Sequence, residues 1–149
     1  LLAAFMVLRL QQLRCLWWRE RRCRGVATSP HATVLTGVRQ CGKSILQAQL
    51  MRPDADAIYI NIEDTRLFGL GPQDFPTLLE VIEEIAVGKK IPIYLDEVQK
   101  LPEWQRLVRA LLDHDHTVCV TGSNASLLGR KLGAKLTGRH RSFDVFPFN

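Results

Sequence analysis

The chain has 149 residues, 46% hydrophobic and 23% charged, which is ordinary globular usage and excludes disorder, a collagen-like chain and a disulfide-stapled miniprotein. A chain of this length buries about two-thirds of its unfolded surface, enough for one core without metal or disulfide staples. The net charge of +5 is concentrated in residues 1–30, which carry six Arg and one Glu, so the remainder is close to neutral and a surface generally coated for nucleic acid is not expected.

In chain order, Met6, Leu10, Leu13 and Trp17 recur at helical spacing between Arg9, Gln12, Arg14, Arg19 and Arg21, which predicts an amphipathic basic helix followed by a linker to about residue 30. The apolar start at Leu1–Leu8 is broken by Arg9, far short of the roughly 20 residues that span a bilayer, so neither a membrane span nor a signal peptide is predicted. Thr33-Val34-Leu35-Thr36 reads as a buried strand, followed by a Gly-containing loop and a helix from Lys43 to Met51. A second strand runs from Ile58 to Ile62 and ends in Glu63-Asp64. Phe75, Leu78, Leu79, Ile82 and Ile85 mark a helix with Asp74 as cap candidate, Pro76 in its first turn and Gly88 at its end.

Ile91–Leu95 is the third strand. Leu101, Trp104, Leu107, Val108, Leu111 and Leu112 keep helical spacing, with Pro102 expected at the first helical position. Thr117–Thr121 is the fourth strand, a short helix is expected from Ala125 to Leu132, and Phe143–Phe148 reads as a fifth strand. Strands and helices alternating in this way, with nearly continuous apolar strands, predict a three-layer α/β/α domain with a mostly parallel central sheet, spanning residues 31–149. Ligands of such sheets bind beyond the carboxyl ends of the strands.

Gly37-Val38-Arg39-Gln40-Cys41-Gly42-Lys43-Ser44 fits the phosphate-loop pattern GxxxxGK[ST] between a strand and a helix, the context that gives the motif its meaning. Its glycines let successive backbone N–H groups face phosphate oxygens at a helix N-terminus. The candidate nucleotide-binding residues are therefore Gly37, Val38, Arg39, Gln40, Cys41, Gly42, Lys43, Ser44 and Ile45, with Lys43 on the β- and γ-phosphates and the Ser44 hydroxyl on Mg2+. The third strand delivers Asp96-Glu97 to the same sheet edge, Asp96 as the second metal-holding residue and Glu97 as the base that polarises the attacking water. Asn124 and Ser123 are candidates for a polar side chain between the γ-phosphate and that water, and equally for the cap of the next helix.

Arg130, Arg139 and Arg141 are candidates for a cation meeting the γ-phosphate from this chain or a neighbour, with Arg139 foremost, and read equally as solvated charges before a final strand. His114 and His116 read as a solvated turn. Cys15, Cys23, Cys41 and Cys119 form no CxxC pair and no zinc-like spacing with His, which predicts a reduced, cytoplasmic chain.

The runs VLTGVRQCGKS, IYINIEDTRL, IYLDEVQKLPEWQRLVRALLD, VCVTGSNASLL and LTGRHRSFDVFPF together resemble the AAA-type ATPase domain of a widespread archaeal and bacterial family in which that domain precedes a C-terminal domain. The resemblance covers about Ala32 to Phe148. It places Gly37, Arg39, Gly42, Lys43, Ser44, Asp96, Glu97, Gly122, Ser123 and Gly138-Arg139 on family motif positions. Val38 stands where Pro is common, Cys41 where Val is common and Ser44 where Thr is usual. The chain begins with Leu and stops at Pro147-Phe148-Asn149, which predicts a piece of a longer product lacking that C-terminal domain.

The expected function is Mg2+-dependent ATP binding and hydrolysis, coupled to an attached domain, a protein partner or another copy of the chain. The alternative is a nucleotide-binding module without hydrolysis that acts through its basic N-terminal helix on a partner or DNA, although no base-reading residue can be named. Small-molecule phosphoryl transfer is disfavoured, because no arginine-rich lid is present and adjacent Asp96-Glu97 suits water activation.

Overall fold

The computed structural model describes residues 31–51, 56–123, 136 and 138–147. The predicted N-terminal helix, the predicted helix at 125–132, Asn124 and Arg130 lie outside the described residues.

Among the described residues, eight main elements follow one another: β1 (Ala32–Thr36), α1 (Lys43–Leu50), β2 (Ile58–Asn61), α2 (Phe75–Ala86), β3 (Pro92–Asp96), α3 (Trp104–Asp113), β4 (Thr117–Gly122) and β5 (His140–Asp144). All the strand pairings are parallel, in the spatial order β2-β3-β4-β1-β5. The chain leaves β1 for the far edge, returns through β3 and β4, and then crosses to the other side of β1. The phosphate loop thus emerges where connections diverge, which is where open α/β sheets bind ligands.

Side-chain alternation along the strands sorts the core into two layers. Ala32, Val34, Ile58, Ile60, Ile93, Leu95, Val118 and Val120 pack with the buried faces of α2 and α3. Leu35, Tyr94 and Cys119 pack on the opposite face with Leu46 of α1, joined by Tyr59 and Leu50. The result is the expected three-layer α/β/α sandwich. The α3 stripe of Trp104, Leu107, Val108, Leu111 and Leu112 is buried, and each such side chain stabilises the fold by about 1.5–3 kcal/mol. Gln47 of α1, fully buried, donates to the backbone carbonyls of Cys119 (3.0 Å) and Leu95 (3.3 Å), fixing the phosphate-loop helix to two central strands.

Three local expectations are corrected. Helix α3 begins at Trp104 rather than at Pro102, because Leu101 is extended, as a residue before proline prefers, and Glu103 turns left-handed (φ 51°). Asp74 occupies the N-cap position of α2, but its carboxylate accepts from the Gly71 N–H (2.9 Å) across the preceding 3₁₀ turn. The fifth strand lies at His140–Asp144, not Phe143–Phe148. Its register is set by pairing along all of β1, from Ala32 opposite His140 to Thr36 opposite Asp144, and as an edge strand it needs no continuous apolar run.

At the N-terminal edge of the sheet, Glu83 of α2 accepts from His114 Nδ1 (2.8 Å) and His116 Nε2 (3.1 Å). His116 is buried and its Nδ1 accepts the Ile91 N–H (3.3 Å), so Nε2 carries the hydrogen directed at Glu83. The bond from His116, with that from His114, holds the Glu83 carboxyl below the usual carboxylate range. A depressed folded-state value means that this contact stabilises fully above the unfolded pKa and is lost as pH falls through the folded one. Thermal melting against pH should show wild type losing stability below about pH 4, with a flatter profile for Glu83→Gln. Parallel profiles for the two proteins would contradict this linkage.

Candidate functional site

The loop between β1 and α1 turns on left-handed backbone at Gly37 (φ 152°), Gln40 (φ 64°) and Gly42 (φ 89°). Gly42 takes the N-cap position, and α1 starts at Lys43. The Val38, Arg39, Gln40, Ser44 and Ile45 side chains are exposed, whereas Cys41 is buried beneath the loop. Lys43 is only 3% exposed, and its ammonium donates to the carbonyls of Val38 (2.9 Å) and Gly37 (3.1 Å) with Cys41 Sγ at 3.8 Å. A buried ammonium must be paired, and here the loop's own carbonyls pair it. The sequence expectation of Lys43 on phosphate therefore requires it to exchange these carbonyls for phosphate oxygens.

Asp96 ends β3, two strands from β1 with β4 between them. The pleat points Asp96, like Tyr94 two residues before it, to the face covered by α1. Its carboxylate is 4% exposed and accepts from Ser44 Oγ (3.2 Å) and Thr121 Oγ1 at Oδ1, and from the Tyr59 hydroxyl (2.8 Å) at Oδ2. The two motifs read from the sequence are thus joined by a direct contact across β4. Burial, followed by the negative charge and hydrogen bond of Asp96, pushes the Tyr59 hydroxyl far above its ordinary value, so it remains a donor.

Glu97 follows in left-handed backbone (φ 55°), a costly conformation for a non-glycine residue that turns the chain sharply off the strand. Its N–H donates to Thr121 Oγ1 (3.0 Å), and its carboxylate Oε2 accepts from Gln99 Nε2 and Ser123 Oγ (3.3 Å). Gln99 Nε2 also donates to Ser123 Oγ (2.9 Å). Thr121 therefore links both acids, taking a hydrogen from the Glu97 backbone and giving one to Asp96. Ser123 lies at this cluster. Tyr59, Thr121 and Gln99 were not assigned roles by sequence reasoning. All three sit inside runs that resemble the family, but nothing local marks Tyr59, one residue of an apolar strand, as a partner of Asp96.

Arg139 is not brought to the phosphate loop. It precedes β5, bonds Asp113 at the end of α3 (2.6 Å) and accepts the Ala32 N–H at its carbonyl (2.9 Å), all at the N-terminal edge of the sheet. The phosphate loop lies at the other end of β1, about 16 Å of strand away, beyond the reach of the side chain. Arg139 and the phosphate loop therefore lie at opposite ends of β1. Asp144, at the end of β5, instead accepts from Thr36 Oγ1 beside the loop.

Among the described residues, no group of three or more His, Cys, Asp and Glu side chains could hold a metal ion. Mg2+ does not require one, since it commonly takes one or two carboxylates with substrate phosphates and waters. A buried carboxylate bonded to three neutral hydroxyls suits such a cation, and because Ser44 commits its proton to Asp96, its oxygen lone pairs are left to accept. No described helix is long and apolar enough to cross a membrane.

A three-layer sheet with a phosphate loop after β1, touching the acidic tip of β3, defines a P-loop nucleotide-binding domain. Comparison with known families agrees: a family model described as an AAA domain matches residues 29–149, and the chain belongs to that family. Membership places it among ATP-binding domains. The chain is 32% identical over 118 residues to an uncharacterized protein, MJ1544, of Methanocaldococcus jannaschii, a match covering 78% of this chain and 26% of that protein. It is 31% identical over 126 residues to an uncharacterized protein of Haemophilus influenzae, covering 78% of this chain and 31% of the other. The chain thus spans between a quarter and a third of the length of these curated relatives.

Proposed function

We propose that this domain binds ATP together with Mg2+ and, within the complete protein, hydrolyses it and passes the nucleotide state to an attached domain or partner. The observation that carries the reading is the 3.2 Å bond from Ser44 Oγ to Asp96 Oδ1, which unites two sequence motifs 52 residues apart into one phosphate-and-metal site. The loop amides and Lys43 hold the phosphates, and Lys43 leaves the Gly37 and Val38 carbonyls to do so. Ser44 and Asp96 hold the metal, Asp96 through water. Mg2+ there supplies charge neutralisation on the phosphate oxygens. Glu97 orients the attacking water and takes its proton, with Gln99 and Ser123 fixing its carboxylate.

Coupling beyond the domain is read from the size of the relatives, which extend far past the matched segment. Arg139 retains a place in this reading only as a cation offered to a neighbouring copy.

Nucleotide titration tests the site. Lys43→Ala should weaken ATP binding roughly 10- to 100-fold, the loss of one charge-assisted bond to phosphate, with the fold of the variant checked by its melting transition because the Lys43 contacts to the Gly37 and Val38 carbonyls are lost as well. Unchanged affinity in a folded Lys43→Ala protein would overturn the assignment of the loop as a phosphate site.

A further inference from the structure

Asp96 is the acid on which the proposed metal site depends, and its hydrogen bonds can be counted. An ionised carboxylate offers about four acceptor positions, two on each oxygen. Ser44 and Thr121 take both positions on Oδ1, and Tyr59 takes one on Oδ2 at 2.8 Å. One position remains. Ser44 and Thr121 come from the phosphate loop and the neighbouring strand β4, whereas Tyr59 comes from β2, on the other side of β3. The carboxylate is thus gripped from both flanks, and rotation about its terminal bond would break at least one bond whichever way it turned.

We propose that Tyr59 is a positioning residue for Asp96, fixing the plane of the carboxylate so that its one remaining acceptor position on Oδ2 is available to a hydrated divalent cation. This inference rests on the reading of Ser44 and Asp96 as the metal-holding pair. Without the phenol hydroxyl, Oδ2 loses its only protein donor among the bonds described, and the carboxylate can turn about the Oδ1 contacts. Partners that orient metal-holding carboxylates commonly contribute 10- to 100-fold to metal affinity. The other tyrosine of the chain, Tyr94, lies on the same sheet face but donates to the Leu50 carbonyl (3.1 Å), away from Asp96, and supplies an internal control.

The experiment is an equilibrium titration of the full chain with ATP, first with the metal chelated and then across a range of Mg2+ concentrations, for wild type, Tyr59→Phe, Tyr94→Phe and Asp96→Asn. Tyr59→Phe should bind ATP like wild type without metal and lose roughly tenfold or more of the affinity gained from Mg2+, with Tyr94→Phe retaining the full gain. A merely structural role for Tyr59 would move both affinities together. If Tyr59→Phe keeps the whole Mg2+-dependent gain while Asp96→Asn loses it, the metal pair stands and the role of Tyr59 falls. If Asp96→Asn also keeps the gain, the metal-site reading itself falls and takes this inference with it. Should Tyr59→Phe fail to fold, wild type with carbon-13-labelled tyrosine carries the test. Its two ring signals are assigned with Tyr94→Phe, and adding Mg2+ to the ATP-bound protein should shift that of Tyr59 more than that of Tyr94, an equal response of both overturning the proposal.

Discussion

Glu97→Gln is expected to leave ATP affinity within about twofold of wild type and to lower turnover by roughly 10²- to 10⁴-fold, the range for loss of a general base. The substitution keeps size and shape, and the amide oxygen still accepts from Gln99 and Ser123, so the local network and the left-handed turn at residue 97 persist. What disappears is the capacity to accept a proton from water. Binding is spared because the loop, Lys43, Ser44 and Asp96 are untouched. The measurement is phosphate release under saturating ATP with Mg2+, in a protein long enough to show turnover, paired with the binding titration. Turnover within tenfold of wild type would remove Glu97 from the role of base.

The second large effect is expected at Gly37. A Cβ on this residue would collide with the Val145 carbonyl oxygen and lie 2.8 Å from Cys41 Sγ. Val145 cannot yield easily, since its N–H donates to the Thr36 carbonyl (2.7 Å) and its side chain is buried in the α1-side core. Left-handed backbone alone costs a side-chain-bearing residue about 1–3 kcal/mol, so with the clash Gly37→Ala should destabilise by roughly 3 kcal/mol or more. That corresponds to a melting temperature lower by on the order of 10 °C in a chain of this size. ATP binding should weaken with it, because the loop must move from β5 to make room. Gly42→Ala is the comparison: its φ is 89° but no atom lies within 4 Å of the added carbon, so only the backbone strain applies. Equal losses at the two glycines would show that the contact with Val145 carries no weight.

Residue patterns made much of this architecture legible. The apolar runs at 33–36, 58–62, 91–95 and 117–121 correspond to β1 to β4 with ends shifted by at most one residue, because the central strands β1, β3 and β4 are buried on both faces and edge strand β2 keeps its apolar residues Ile58 and Ile60 on the core side. Edge strand β5 is exempt from that rule: its residues 140–142 are polar, and the apolar signal lies in the Phe-rich stretch that begins within it and continues past its end. The start of α3 departs from its apolar pattern for a related reason: Leu101 is buried and fits the helical spacing, but it belongs to the turn before Pro102.

The sequence by itself determined the phosphate loop, the acidic strand end and the alternation that makes a parallel sheet, since each is written in residues close together along the chain. Only the tertiary structure decided which side chains meet. Strand order put β4 between β1 and β3, so Thr121 came to link Asp96 and Glu97; it put β2 beside β3, so Tyr59 reached Asp96 from 37 residues away. It also carried Arg139 to the opposite sheet edge, against Asp113. The physical reason is the pleat. Whether two side chains share a face follows from strand parity, which a sequence displays, but whether they touch depends on strand neighbours and register, which are fixed by packing of the whole core.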